Sequence, residues 1–120
     1  MSLFSPATRG LADLMVAAPR GPRRDGLFAV WLTVRIIEDL PMASTHERGY
    51  RRRVALAGKR LSSLMLAPPI RRGISAVLAS LDTAESADRG QLLAQLAAAV
   101  RDAGPPEAAE LLARAARGNR

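Results

Sequence analysis

Leu27–Leu40, LFAVWLTVRIIEDL, is the stretch on which the fold class turns. Val30, Val34, Ile36 and Ile37 are β-branched and Leu27–Val34 is nearly continuous apolar sequence, a pattern that also suits a buried strand. Three observations favour a helix. The stretch is long for a strand, Asp25 can cap its start while Pro41 stops it, and no second strand candidate exists for it to pair with. As a helix it carries Leu27, Val30, Trp31, Val34 and Ile37 on one stripe and becomes the central core helix. The stripe continued one step meets Glu38, so the last turn leaves the core and Glu38 and Asp39 are expected to reach solvent. Phe28 and Trp31 have a second reading, in which they face a partner or a lipid surface.

With no strand left, the remaining segments read as helices. Ser44–Leu66, STHERGYRRRVALAGKRLSSLML, is the best-defined of them and the most basic part of the chain. Ser44 and Glu47 have the spacing of a capping box, which satisfies backbone N–H groups orphaned in the first turn. Tyr50, Val54, Ala57, Leu61 and Leu64 recur at steps of four and three and line one face. Arg48, Arg52 and Lys59 fall opposite, with Arg51, Arg53 and Arg60 on the flanks. Gly58 costs about 1 kcal/mol relative to alanine inside a helix, and marks either a close neighbour or a tolerated glycine.

Ser5 and Pro6 open a short helix to Ala18, apolar at Leu11, Leu14, Met15 and Ala18. Residues 19–26, PRGPRRDG, read as an exposed basic loop. Pro68 and Pro69 start a further helix with Ile70, Ile74, Val77 or Leu78, and Leu81 on one face. Residues 82–88, DTAESAD, form an acidic linker. Asp88 and Gln91 resemble a second capping box, opening a helix to Ala103 with Leu92, Leu93, Leu96 and Val100 inward and Gly104 as its stop. Pro105 and Pro106 begin the last helix, with Leu111, Leu112 and Ala115 apolar, and these two helices form an αα-hairpin. The expected fold is all-α: residues 1–120 as one domain, a single compact bundle of five or six short helices. Aromatic residues are only 3% of the chain, so the core is built from Leu, Ala, Val and Ile, which suit helices.

The formal net charge of +7 is uneven. Residues 45–72 hold eight basic side chains against one acid, whereas residues 73–106 hold two against four. A basic patch concentrates anionic partners, whether an acidic protein face, an anionic membrane surface or nucleic acid. Arginine supplies 17 of the 18 basic residues, which suits planar contacts with carboxylate or phosphate, although a GC-rich genome produces the same arginine and alanine excess. Arg71 and Arg72 lie in a first helical turn, where they oppose the helix dipole, so they point to an external partner or to a satisfied contact within the fold. The candidate anion- or partner-binding residues are Arg48, Arg51, Arg52, Lys59, Arg71 and Arg72.

The residues for chemistry are sparse. There is no cysteine, and His46 is the only histidine, so neither a thiolate site nor a zinc-protease motif can be built, Tyr50 standing where the second histidine would fall. No phosphate-cradling glycine loop occurs, and Gly73-Ile74-Ser75 is only a fragment of a nucleophile elbow. No catalytic, cofactor or metal residues are assigned. The N-terminal region is broken by Arg9, Gly10 and Asp13 and does not read as a secretory signal, and no apolar run approaches the ~20 residues of a membrane span. The expectation is a non-enzymatic accessory or adaptor subunit, cytoplasmic or peripheral to the inner membrane face, docking a basic helix face onto a larger assembly. The alternative is a sequence-independent nucleic-acid-associated protein that holds the phosphate backbone through arginines.

Overall fold

A computed structural model describes residues 5–40, 47–82 and 88–118, Asp82 by its backbone alone. Six helices follow one another: α1 (Pro6–Ala17), α2 (Pro22–Glu38), α3 (Glu47–Ser62), α4 (Pro68–Asp82), α5 (Arg89–Ala103) and α6 (Pro106–Gly118). Among the described residues there is no strand, so the ambiguous stretch is helical.

The second helix starts earlier than its apolar pattern. Gly21, with φ of 145°, takes a backbone conformation open mainly to glycine and turns the chain. Pro22 then occupies the first helical position, where its missing N–H is no loss. The basic loop therefore shrinks to the residues around Pro19–Gly21; Arg23 and Arg24 are helical, and Asp25 lies in the first turn instead of capping it. α2 touches α1, α3, α4 and α5, which makes it the axis of the bundle. That many neighbours bury more than one stripe: Leu27, Ala29, Val30, Thr33, Val34, Ile36 and Ile37 are all enclosed. Thr33 satisfies its hydroxyl on the Ala29 carbonyl at 2.8 Å. Trp31, expected in the core stripe, is only half-buried.

The end of α2 also departs from expectation. Glu38 does not run free into solvent. Its Oε1 accepts from Ser5 Oγ and from Thr8 Oγ1, each at 2.7 Å, while Ser5 Oγ accepts from the Thr8 backbone N–H at 3.1 Å. Ser5 is thus the N-cap of α1, and Glu38 places a carboxylate at the positive end of that helix. Glu38→Ala is expected to lower stability by about 2 kcal/mol, because it removes two charge-assisted bonds and leaves the buried Thr8 hydroxyl only Ser5 Oγ, 3.1 Å away. Glu38→Gln keeps an acceptor oxygen and should recover at least half of that in urea denaturation. Asp39, one residue on, is held by Arg53 at 2.6 Å.

α3 buries Tyr50, Val54, Ala57 and Leu61, the face that its spacing requires. Its capping residue Ser44 lies outside the described residues. It ends at Ser62, short of Leu66, because Ser62 and Ser63 turn their hydroxyls onto the Lys59 and Arg60 carbonyls at 2.7 Å and the backbone tightens into i→i+3 bonds. Ile70, Ile74, Val77 and Leu81 face inward on α4. Asp88 caps α5 through Gly90 N–H at 2.9 Å, and Leu92, Leu93, Leu96, Ala97 and Val100 are buried. On α6 the enclosed residues are Ala108, Ala109 and Leu112, with Leu111 and Ala115 half-buried. α5 and α6 form the most extensive helix pair, the expected hairpin. The whole is compact, with a radius of gyration of 13.3 Å. Most of the acidic linker lies outside the described residues.

Candidate functional site

α2 has a second side. Arg24, Phe28, Trp31, Leu32 and Arg35 recur at helical spacing on a half-buried face, on which Trp31 and Leu32 pack against the edge of the core. Beside it runs the flank of α3 that carries Arg53, Leu56 and Arg60. Between the two helices lies an open groove of about 510 Å³, floored by Ile36 and Ala57 and walled by Phe28, Trp31, Leu32 and Leu56. Leu56 is 57% exposed, one of three large apolar side chains in that state among the described residues. The groove continues past Phe28 and Arg60 into a second depression of about 450 Å³, which Met15, Arg20, Arg24, Asp25 and Leu64 complete.

The rings in this groove are covered by cations. Phe28 and Trp31 stack with centroids 6.1 Å apart; the Arg60 guanidinium sits 5.6 Å from the Phe28 centroid and that of Arg35 sits 5.5 Å from Trp31. Each contact contributes about 0.5–1 kcal/mol at a partly exposed site. The Trp31 indole N–H is buried without an acceptor among the described residues. Such a donor is a standing cost of about 1–3 kcal/mol in the free fold.

Tyr50 fixes one end of the groove. Its hydroxyl donates to the Ile36 carbonyl at 2.9 Å and ties α3 to the last turn of α2. Burial, reinforced by Asp39 and opposed by Arg53, pushes the phenol up to about 12.

The six residues singled out from sequence do not gather into one site. Arg48, Arg52 and Lys59 point outward from α3, all exposed. Arg51 pairs with Glu47 at 3.0 Å across one turn, a surface contact of a few tenths of a kcal/mol. Arg71 is satisfied within the fold, its guanidinium donating to the Leu64 carbonyl at 2.7 Å just past the end of α3. Arg72 is exposed at the start of α4. The arginines that meet an apolar surface are instead Arg53 and Arg60, the flanking residues, together with Arg24 and Arg35 of α2. The i, i+3, i+4, i+7 spacing of Phe28, Trp31, Leu32 and Arg35 was the signal for the α2 side of the groove, and nothing in the α3 sequence singled out Arg53 and Arg60.

Two other cavities offer less. One of about 450 Å³ opens where the starts of α2, α4 and α6 meet the end of α5, and Arg23 is its only charged wall residue. One of about 380 Å³ lies beside Glu38, Arg89 and Arg114, but the Glu38 carboxylate is engaged by the α1 cap. Among the described residues no cluster of three His, Asp or Glu side chains could hold a metal, and no helix is long and apolar enough to cross a membrane. Comparison with models of known protein families, with characterised proteins and with solved structures finds no match. Fold and site together define a six-helix bundle with one aromatic, arginine-rimmed groove between its second and third helices.

Proposed function

We propose that this protein is a non-enzymatic adaptor that docks onto a larger protein assembly through the α2–α3 groove. The observation that carries the reading is the second, half-exposed side of α2, where Phe28, Trp31 and Leu32 meet the exposed Leu56 of α3. Trp31 and Leu32 turn part of their surface to the core and leave the rest open beside Phe28, and aromatic and arginine side chains in such a concave patch are the usual anchors of a protein interface. The outward Arg48, Arg52 and Lys59 support a second reading, in which α3 holds a nucleic-acid backbone; their spacing on one exposed face is the observation in its favour.

The test is photocrosslinking in the native cells, with a photoreactive residue placed at Leu56 and, as a control, at Gln95 on the exposed side of α5. Discrete, nuclease-resistant protein adducts from position 56 and none from position 95 are expected. Nuclease-sensitive material, or equal yields at both positions, would remove the adaptor reading, the former in favour of nucleic acid.

A further inference from the structure

Resting on that adaptor reading, we propose that the occupant of the groove is an acidic amphipathic helix of a partner protein. Length is the first argument. The stripe from Arg24 to Ile36 spans about 18 Å at 1.5 Å per residue, which matches about three turns of a helix laid along it. Two helices forming a trough with an apolar floor accept such a segment through side chains at i, i+3, i+4 and i+7.

Charge is the second argument. Arg20, Arg24 and Arg60 border the apolar floor, and the acids nearby are few: Asp25 lines the same depression, and Asp39 is already paired with Arg53. A partner with Asp or Glu on both sides of its apolar stripe would complete these arginines in the planar geometry that guanidinium favours. In doing so it would draw the Arg60 guanidinium off Phe28 and expose the ring to the incoming apolar residues. A small outward rotation of Trp31 would give its unpaired indole N–H a carboxylate acceptor.

The arrangement fits other occupants less well. A second copy would bring another chain of net charge +7 to the same basic rim. A lipid surface needs apolar side chains that project beyond the cations, yet Phe28 and Trp31 are half-buried with guanidinium groups lying over them.

Trp31 is the only tryptophan, so its fluorescence reports on the groove alone. The experiment is a display selection of random 16-residue segments on the intact protein, followed by titration of the enriched peptides against Trp31 emission and against Leu56→Glu. Phosphatidylglycerol vesicles are titrated in parallel. Enriched peptides should carry Asp and Glu flanking an i, i+3, i+4, i+7 apolar stripe and should shift the emission. Their affinity should fall at least tenfold in Arg24→Glu/Arg60→Glu and return when the peptide's acids are changed to lysine. Enrichment of neutral or basic sequences, equal binding to Leu56→Glu, or an emission shift with vesicles and none with peptides would overturn the proposal. A discrete adduct from position 56 alongside neutral enriched peptides would overturn this inference and leave the adaptor reading standing; the absence of any adduct in cells would overturn both.

Discussion

Gly73→Ala is expected to destabilise the protein by about 2 kcal/mol, while Gly58→Ala stabilises it by about 1 kcal/mol. Both glycines lie inside helices, so both gain the same helix propensity from a methyl group, and the sign is set by what that methyl meets. At position 73 a Cβ would overlap the Cβ of Ala99, with the Ala99 Cα only 3.8 Å away. Carbon atoms are comfortable at about 3.5–4.0 Å, and an alanine methyl has no rotamer in which to withdraw, so α4 and α5 must separate. Overpacking of this kind costs about 3 kcal/mol, of which propensity returns about 1. At position 58 the nearest atom is Leu78 Cδ1 at 4.0 Å, an ordinary contact. Urea denaturation followed by circular dichroism gives both values, and Ala99→Gly in the Gly73→Ala background should restore most of the loss. A Gly73→Ala protein as stable as the wild type would mean that α4 and α5 do not pack this closely.

The contrast also shows what can be read from one chain. Gly58 drew attention as either a site of close approach or a tolerated glycine, because it interrupts an otherwise strong helix, and Leu78 Cδ1 at 4.0 Å favours the second. Gly73 drew attention only as part of a broken catalytic motif. Helix periodicity locates a glycine on a face, but the distance to a neighbouring helix is a tertiary quantity, and here it is Ala99, far along the sequence, that decides.

α2 shows the same limit at the level of a whole element. Its nearly unbroken apolar run left helix and strand in competition because an axial helix with neighbours on several sides loses the polar stripe that marks an ordinary amphipathic one. The core residues Leu27, Val30, Val34 and Ile37 were nevertheless legible from spacing, as were all four of the buried residues of α3. Trp31 packs against the core, as its place on the stripe requires, but only half-buried, because it also lies on the edge of a second stripe. Glu38 was placed in solvent because its partners, Ser5 and Thr8, are thirty-odd residues upstream, and no local rule pairs the end of one helix with the cap of another.

The basic residues follow that pattern. Charge counting located the basic region of the chain but weighed all its arginines alike. The structure separates Arg53 and Arg60, which border apolar surface beside α2, from Arg48, Arg52 and Lys59, which face water. A difference of one flank on α3 depends on which side α2 approaches, and the α3 sequence is silent about that.

Raising the pH from 10 to 12 should remove about 2 kcal/mol of stability through Tyr50 alone. In the unfolded chain the phenol ionises near its ordinary value of 10.0; in the fold, burial and the neighbouring Asp39 hold it neutral to about 12. The folded state therefore keeps a proton that the unfolded state has already released. Stability is unaffected below about pH 10, falls through the interval between the two values, and is level above the second. Two units at 1.36 kcal/mol each are the limit reached well above the second value, and about 2 kcal/mol of it falls between pH 10 and 12. Because Tyr50 is the only tyrosine, phenolate absorbance in the folded protein reads its ionisation directly. Tyr50→Phe should be less stable than the wild type by about 1 kcal/mol at neutral pH, since the Ile36 carbonyl loses the phenol but still accepts from the Asp39 N–H at 3.2 Å. The variant lacks the alkaline loss, so its stability curve should cross that of the wild type between pH 10 and 12. The consequence reaches the groove, because the Tyr50 bond joins α3 to Ile36, and Ile36 with Ala57 forms the groove floor. A phenol that ionised near 10 in the folded protein would be open to water, and α3 would then lack its hydrogen bond to the Ile36 carbonyl.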